Sequence, residues 1–298
     1  MEQRILAFLL IFLTAACGQP ESTVRAPLAI EVTSDLAYTD PVQDFLSGQE
    51  LDVYAPAQGE GLPVLVFLHG GGGSKNDPEI IRFSELIAEQ GVVVFTPSVP
   101  IGAPEDLAIL KGRKMREAME SVVCAVRFSR AHANDFGGNP VRISLVGHSG
   151  GGLLGLLVSL MGDDLARYWD PLPGGPAQQS ECLESQGASG EVQAFVGLNG
   201  AYFIFSPESP YHTPKIWPLA NPYEYVGNNP ELQMRFIVGG QDDTQPDWHK
   251  DQARVFIDDL SAYDAQYILI DDADHGISEW NGPVLEKVLE TILGVAKK

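Results

Sequence analysis

Apolar residues fall along this chain in two rhythms. Short continuous runs such as "PVLVFLHG" (63–70), "VVVFTP" (92–97) and "VRISLV" (141–146) are rich in β-branched residues and have the character of buried strands. The runs 51–56, 192–199, 234–240 and 265–271 read the same way. Longer segments lie between them. "PEIIRFSELIAEQG" (78–91) begins with proline and ends in glycine, as a helix does. The segment 105–133 sets Ala118, Val122, Ala125 and Val126 on one helical face, and 151–160 has the apolarity of a buried helix. Two more helices are predicted near 248–260 and 284–295. Strand and helix alternate from Pro63 onward. That order predicts an α/β fold: a mostly parallel central sheet with helices on both faces. Ligands then bind beyond the carboxyl ends of the strands. Two segments break the alternation, a lid-like insertion at 162–190 and a pocket-wall segment at 200–233.

The first residues follow neither rhythm. Residues 5–16 are apolar, but fewer than the roughly 18 needed to cross a bilayer. They fit the core of a secretory signal. The stretch ends "LTAACG", which resembles the lipobox of bacterial lipoproteins, where the cysteine is lipidated and becomes the new N-terminus. The expected organisation is a signal peptide at 1–16, a polar tether at 17–27 with Cys17 as lipidation site, and one folded domain at 28–298. The expected location is extracytoplasmic, membrane-anchored through Cys17 at a bacterial periplasm or cell surface, or otherwise secreted. Net charge sharpens this. At −21, the chain is a poor partner for nucleic acid or for anionic lipid. No internal repeat stands out.

Candidate chemistry sits in "VRISLVGHSGGGLLG" (141–155). Glycine makes up 31 of 298 residues, so a G-x-S-x-G pattern alone says little. Its position between a buried strand and a buried helix says more. A serine there occupies a sharp turn with strained backbone angles, and side chains at Gly147 or Gly151 would strike strand or helix. The turn presents Ser149 Oγ at the carboxyl edge of the sheet. The bland alternative is a capping serine at a glycine-rich helix start.

A serine hydroxyl needs a base. Of six histidines, His275 follows the last predicted strand on a loop at the carboxyl edge. His148 adjoins Ser149, but neighbours on a tight turn point apart. The base needs a carboxylate, and "RFIVGGQDDTQP" offers Asp242 or Asp243 just past a strand. Donors for an oxyanion come from the glycine run 70–73 after a buried strand, and from the Gly150 amide. A phosphate-loop reading of that run fails, because no Ser or Thr follows Lys75. No His pair or Cys/His cluster suggests a metal, and no cofactor motif is visible. Asp271, Asp272 and Asp274 lack an EF-hand pattern and read as a solvated acidic loop.

These pieces together resemble the α/β-hydrolase fold. The nearest branch looks like the secreted carboxylesterases and the hormone-sensitive-lipase and kynurenine-formamidase-like enzymes. The resemblance rests on "LDVYAPAQGEGLPVLVFLHGGGG", "NDFGGNPVRISLVGHSGGG", "FIVGGQDDTQP" and "DADHG" in that order. It implies Ser149 as nucleophile, His275 as base and Asp242 as orienting acid, with Asp243 as the alternative acid. It implies an oxyanion hole from Gly71, Gly72 and Gly150. Gly73 and Ser74 stand where the family usually has an aromatic, and Gly150 where it has alanine. The expected activity is hydrolysis of a small-molecule carboxylic ester. Alternatives are an amide or N-formyl amide hydrolase using the same residues, or a non-catalytic binding protein on the same fold. Tyr202, Phe203, Phe205, Tyr211, Trp217, Tyr223 and Tyr225 either wall a pocket or cover the sheet edge. Of three cysteines, lipidation of Cys17 leaves Cys124 and Cys182 in an oxidising compartment. A Cys124–Cys182 disulfide, resembling that of secreted family members, would tie the insertion to the long helix.

Overall fold

A computed structural model describes residues 26–39, 49–101, 113–165, 167, 182–184, 187–202, 221–244, 247–276 and 282–295. The expected signal peptide, most of the tether, Cys17, and much of the two irregular segments lie outside these residues. Eight strands form one sheet: β1 (Ile30–Ala37), β2 (Glu50–Pro56), β3 (Leu62–Leu68), β4 (Val93–Pro97), β5 (Gly138–His148), β6 (Ala194–Leu198), β7 (Gln233–Gly239) and β8 (Asp264–Ile270). Their order is β1-β2-β4-β3-β5-β6-β7-β8. From β4 to β8 every neighbouring pair is parallel, while β2 runs antiparallel to β4 and β1 to β2.

The described helices are α1 (Pro78–Ala88), α2 (Arg113–His132), α3 (Gly150–Met161), α4 (Asp247–Asp259) and α5 (Pro283–Gly294). The alternation along β3 shows how they are shared between the two faces. Val64, Val66 and Leu68 point into one apolar layer with α2, α3 and α4. Leu65 and Phe67 point into a second layer with α1 and α5. Period-2 strand geometry makes this division automatic once both faces are apolar. The expected face of α2 is the packed one: Ala118, Val122, Ala125 and Val126 are all buried.

Strand β1 was not visible in the hydrophobic pattern. Its sequence, IEVTSDLA, is mostly exposed, because an edge strand needs backbone pairing more than side-chain burial. A register shift between Thr33 and Leu36 accompanies a positive φ of 60° at Asp35. Cys124 and Cys182 are joined, with S–S 2.01 Å and Cα–Cα 4.8 Å. The bridge fastens residues 182–184 to α2, and the same segment pairs with Thr39 and Tyr38 beside β1.

Candidate active site

Strand β5 is buried from Arg142 to Gly147, and its chain turns within two residues into α3. Ser149 occupies that turn with φ 51° and ψ −117°, outside the regions a serine favours. Such a conformation costs on the order of 1–3 kcal/mol and persists only where its surroundings impose it. Here they do. A Cβ on Gly147 would stand 2.3 Å from the Gly151 carbonyl oxygen. One on Gly151 would stand 2.3 Å from the His69 carbonyl oxygen and 2.9 Å from that of Leu68. Only glycine lets strand, turn and helix approach so closely. The Ser149 amide donates to the Leu198 carbonyl (2.9 Å), which pins the turn to the end of β6.

The expected partners meet here. Ser149 Oγ lies 3.1 Å from His275 Nε2, and His275 Nδ1 lies 2.8 Å from Asp242 Oδ2. A carboxylate only accepts, so Nδ1 carries the proton and Nε2 accepts from the hydroxyl. Thr244 donates to the other oxygen, Asp242 Oδ1, from its amide (3.1 Å) and its hydroxyl (2.8 Å). Burial pushes the Asp242 carboxyl up, but the bonds from His275 and Thr244 outweigh it and hold it below the usual carboxylate range. Asp243, by contrast, is exposed. Of the two candidate carboxylates, only Asp242 touches the imidazole. Serine, imidazole and buried carboxylate in such a chain can pass a proton from hydroxyl to ring.

The glycine run faces the same turn. The Gly71 nitrogen lies 3.3 Å from the point where a Cβ on Gly150 would stand. Gly150 is the first residue of α3, so its amide has no intrahelical acceptor. Gly72 departs from expectation. Its amide donates to the Ile101 carbonyl at 2.9 Å, and this bond turns it away from an oxyanion role. The run is strutted from both ends. His69 is buried, with Nδ1–H donating to Gly70 O (2.7 Å) and Nε2 accepting from the Val99 amide (3.0 Å). Burial lowers its pKa and keeps the ring neutral, as both bonds require. Lys75 is buried between Asp35 (2.6 Å) and Asp52 (2.9 Å), tying the run to β1 and β2.

Three contributors escaped sequence reasoning. The ring of His148 lies 5.1 Å from that of His275, and its Nε2–H donates to the His275 carbonyl at 2.7 Å. Asn199 bonds the loops that carry Asp242 and His275. Thr244 stands two residues after Asp242, a spacing that suits an Asx-type turn and was a usable signal. Of the seven aromatics named above, Tyr202 and Tyr225 are buried in the core, and Tyr223 packs on Phe256. Phe203, Phe205, Tyr211 and Trp217 lie outside the described residues.

The carboxylesterase family model matches residues 49–162, the part of the chain that holds the glycine run and the serine turn. Cocaine esterase of Oryctolagus cuniculus is 32% identical over 106 residues, which are 34% of this chain and 20% of that protein. The chain thus spans about a fifth of that relative's length. Among solved structures, a truncated carbohydrate esterase from gut microbiota superposes with a TM-score of 0.68 at 16% identity, covering 94% of this chain and all of that one. Esterase B of Lactobacillus rhamnosis gives 0.63 at 17% identity, covering 91% of this chain and 86% of that one. The chain has the α/β-hydrolase fold, with eight strands in a mostly parallel sheet.

Proposed function

We propose that this chain hydrolyses small-molecule carboxylic esters through an acyl-enzyme on Ser149. The observation that carries the reading is the hydrogen-bonded chain from Ser149 Oγ through His275 to buried Asp242, beside the Gly71 and Gly150 amides. His275 Nε2 takes the Ser149 proton as Oγ bonds to the ester carbonyl carbon. The carbonyl oxygen becomes an oxyanion and receives the Gly71 and Gly150 N–H groups. Asp242 holds the ring with Nδ1 protonated and stabilises the imidazolium. Collapse expels the alcohol, which leaves with the proton from Nε2. Water then gives a proton to Nε2 and attacks the acyl carbon, and the carboxylic acid departs with Ser149 restored. Gly72, spent on Ile101, plays no part. Imidazole supplies the base, and the backbone amides supply the donors that stabilise the oxyanion.

Similarity to esterases over residues 49–162 favours an ester over an amide. A fluorophosphonate probe tests the reading directly. The wild-type chain should label at Ser149 and hydrolyse p-nitrophenyl acetate or butyrate, and Ser149→Ala should do neither. Labelling with anilide turnover exceeding ester turnover would make it an amidase. Absence of both labelling and turnover would leave a binding protein. We also propose that the mature chain begins at a lipidated Cys17, outside the cytoplasm. Metabolic incorporation of an alkynyl palmitate into wild type but not into Cys17→Ala checks this.

A further inference from the structure

Asn199 follows β6, the strand that lies between β5, which feeds Ser149, and β7, which leads to Asp242. It is 1% exposed and has a φ of 45°. Asparagine is among the few residues other than glycine that tolerate this left-handed region. Its side chain is fully committed. Oδ1 accepts from the Gly239 amide at 2.7 Å, at the start of the loop to Asp242. Nδ2 donates to the Asp274 carbonyl at 2.7 Å and to the His275 carbonyl at 3.3 Å. An N–H on one side and two carbonyls on the other settle which end of the amide is which. The backbone of Asn199 donates to Ile237 O (2.9 Å), so the residue cannot shift without breaking β7 pairing. The His275 carbonyl also accepts from His148 Nε2–H, whose ring sits 5.1 Å from that of His275.

We infer that Asn199 is a positioning residue: one buried amide sets the spacing between Asp242 and His275 by clamping the backbones of both loops. The inference rests on the ester-hydrolase reading above and deepens it. Its described side-chain bonds go to the backbone of those two loops, so it acts through the ring it places. Aspartate in its place would offer only acceptors to two carbonyl oxygens. Glycine would keep the backbone angle and remove the clamp. Its role is set by backbone partners 40 to 76 positions away in sequence.

The sign of the effect follows from what faces His275. Asp242 contacts its ring, His148 packs beside it, Asp274 adjoins it in sequence, and Glu79 of α1 approaches Gly276 on the same loop. Of these, the Asp242 contact is the one that the clamp sets. Loosening it withdraws the carboxylate that orients the ring and stabilises the imidazolium formed in the reaction, so kcat falls while substrate binding is left alone. Misplacement of this kind costs about 10–100-fold in kcat.

The experiment compares wild type, Asn199→Gly and Asn199→Asp, with rates normalised to fluorophosphonate-titrated sites so that partial unfolding is counted separately. Both variants should lose about 10–100-fold in kcat with KM within about 3-fold of wild type. In both, the low-field proton resonance of His275 Nδ1–H should weaken or move upfield. Normalised kcat within 2-fold of wild type, or an unchanged resonance, overturns the inference. If the wild-type chain neither labels nor turns over, the hydrolase reading fails on its own. The Nδ1–H resonance of the variants then decides the clamp alone: unchanged, it overturns the clamp; lost, it supports it.

Discussion

Ser149, Asp242 and His275 meet at one edge of the sheet but are held there by a different balance of forces. Ser149 leaves a central strand that is buried from Arg142 to Gly147, and its strained turn is enforced by atoms that leave no room for a Cβ. Asp242 and His275 leave β7 and β8 at the sheet margin, where β8 is only half-buried along its length. Close approach acts there too: a Cβ on Gly239 would stand 2.5 Å from the Ala273 carbonyl oxygen, and one on Gly240 2.5 Å from that of Asp271. To this the loops add side-chain donors and acceptors: Asn199 and His148 on the backbone, Thr244 on the carboxylate. The turn is positioned mainly by exclusion, the two loops by exclusion and side-chain hydrogen bonds together. Exclusion tolerates no added atom. Hydrogen bonding tolerates shape changes but not the loss of a partner.

The largest effects should come from breaking the chain that joins the two regions. Ser149→Ala should lower kcat by on the order of 10⁶-fold, with a urea midpoint near that of wild type, since the hydroxyl is partly exposed. Asp242→Asn should cost about 10⁴-fold, because asparagine can hold the wrong tautomer of His275. Asp243→Asn, at an exposed site, should stay within about 3-fold, as surface changes away from a site usually do. Steady-state rates on p-nitrophenyl acetate measure all three. A ranking of Asp243 above Asp242 would contradict the carboxylate assignment.

The contrast also explains what could be read before the structure. Close packing of backbone leaves glycines, and glycines are visible in a sequence; so Gly147, Ser149 and Gly151 declared the turn. Strand ends declare loops at the carboxyl edge, so His275 and the Asp242–Asp243 pair were placed, though their shared motif left two acids open. Burial and the Thr244 bonds separate them. Asn199 and His148 were not legible as contributors, because a side chain bonded to distant backbone leaves no local pattern. The bond from the Gly72 amide to Ile101 was not legible for a related reason: its acceptor lies in a distant loop. Edge strand β1 was lost because its side chains are mostly exposed and carry little hydrophobic rhythm.

A disulfide test asks whether anything outside the turn helps to hold Ser149. Cys124 lies on α2, which packs against α3, and the bridge closes 58 positions of chain. Replacing both cysteines with serine should lower stability by up to ~4 kcal/mol on the chain-entropy model. Backbone contacts of residues 182–184 with Tyr38 and Thr39 already tether that end and reduce the loss. Turnover at 25 °C should stay near wild type, since the steric contacts at Gly147 and Gly151 remain. A large fall in kcat at full folding would mean that positioning by exclusion needs the bridge. Gly151→Ala attacks exclusion itself. A methyl 2.3 Å from the His69 carbonyl oxygen forces the turn open, at about 1–3 kcal/mol in stability by overpacking. Urea unfolding together with phosphonate labelling should show both stability and reactivity falling.

The smallest effect probes the other region through pH. Burial and the neighbouring His275 push His148 down to about 4, so its ring is neutral in the folded protein and its Nε2–H is available to the His275 carbonyl. In the unfolded chain the same ring titrates near 6.5. Between those values the unfolded state binds more protons, so stability rises with pH there and falls as pH drops from about 6.5 toward about 4. One group contributes a slope of at most about 1.4 kcal/mol per pH unit. His69, also buried and neutral, acts in the same direction, while Asp242, held below the usual carboxylate range, loses its contribution only as pH falls through its folded value. His148→Gln keeps an N–H donor and removes the titration. Urea unfolding at pH 4.5, 5.5, 6.5 and 7.5 should therefore show a shallower rise for the variant than for wild type, with near-equal curves once both are above pH 7. Parallel slopes would mean that His148 is already solvated and protonated in the fold, and the side-chain bonds that help to place those loops would then be those of Asn199 and Thr244.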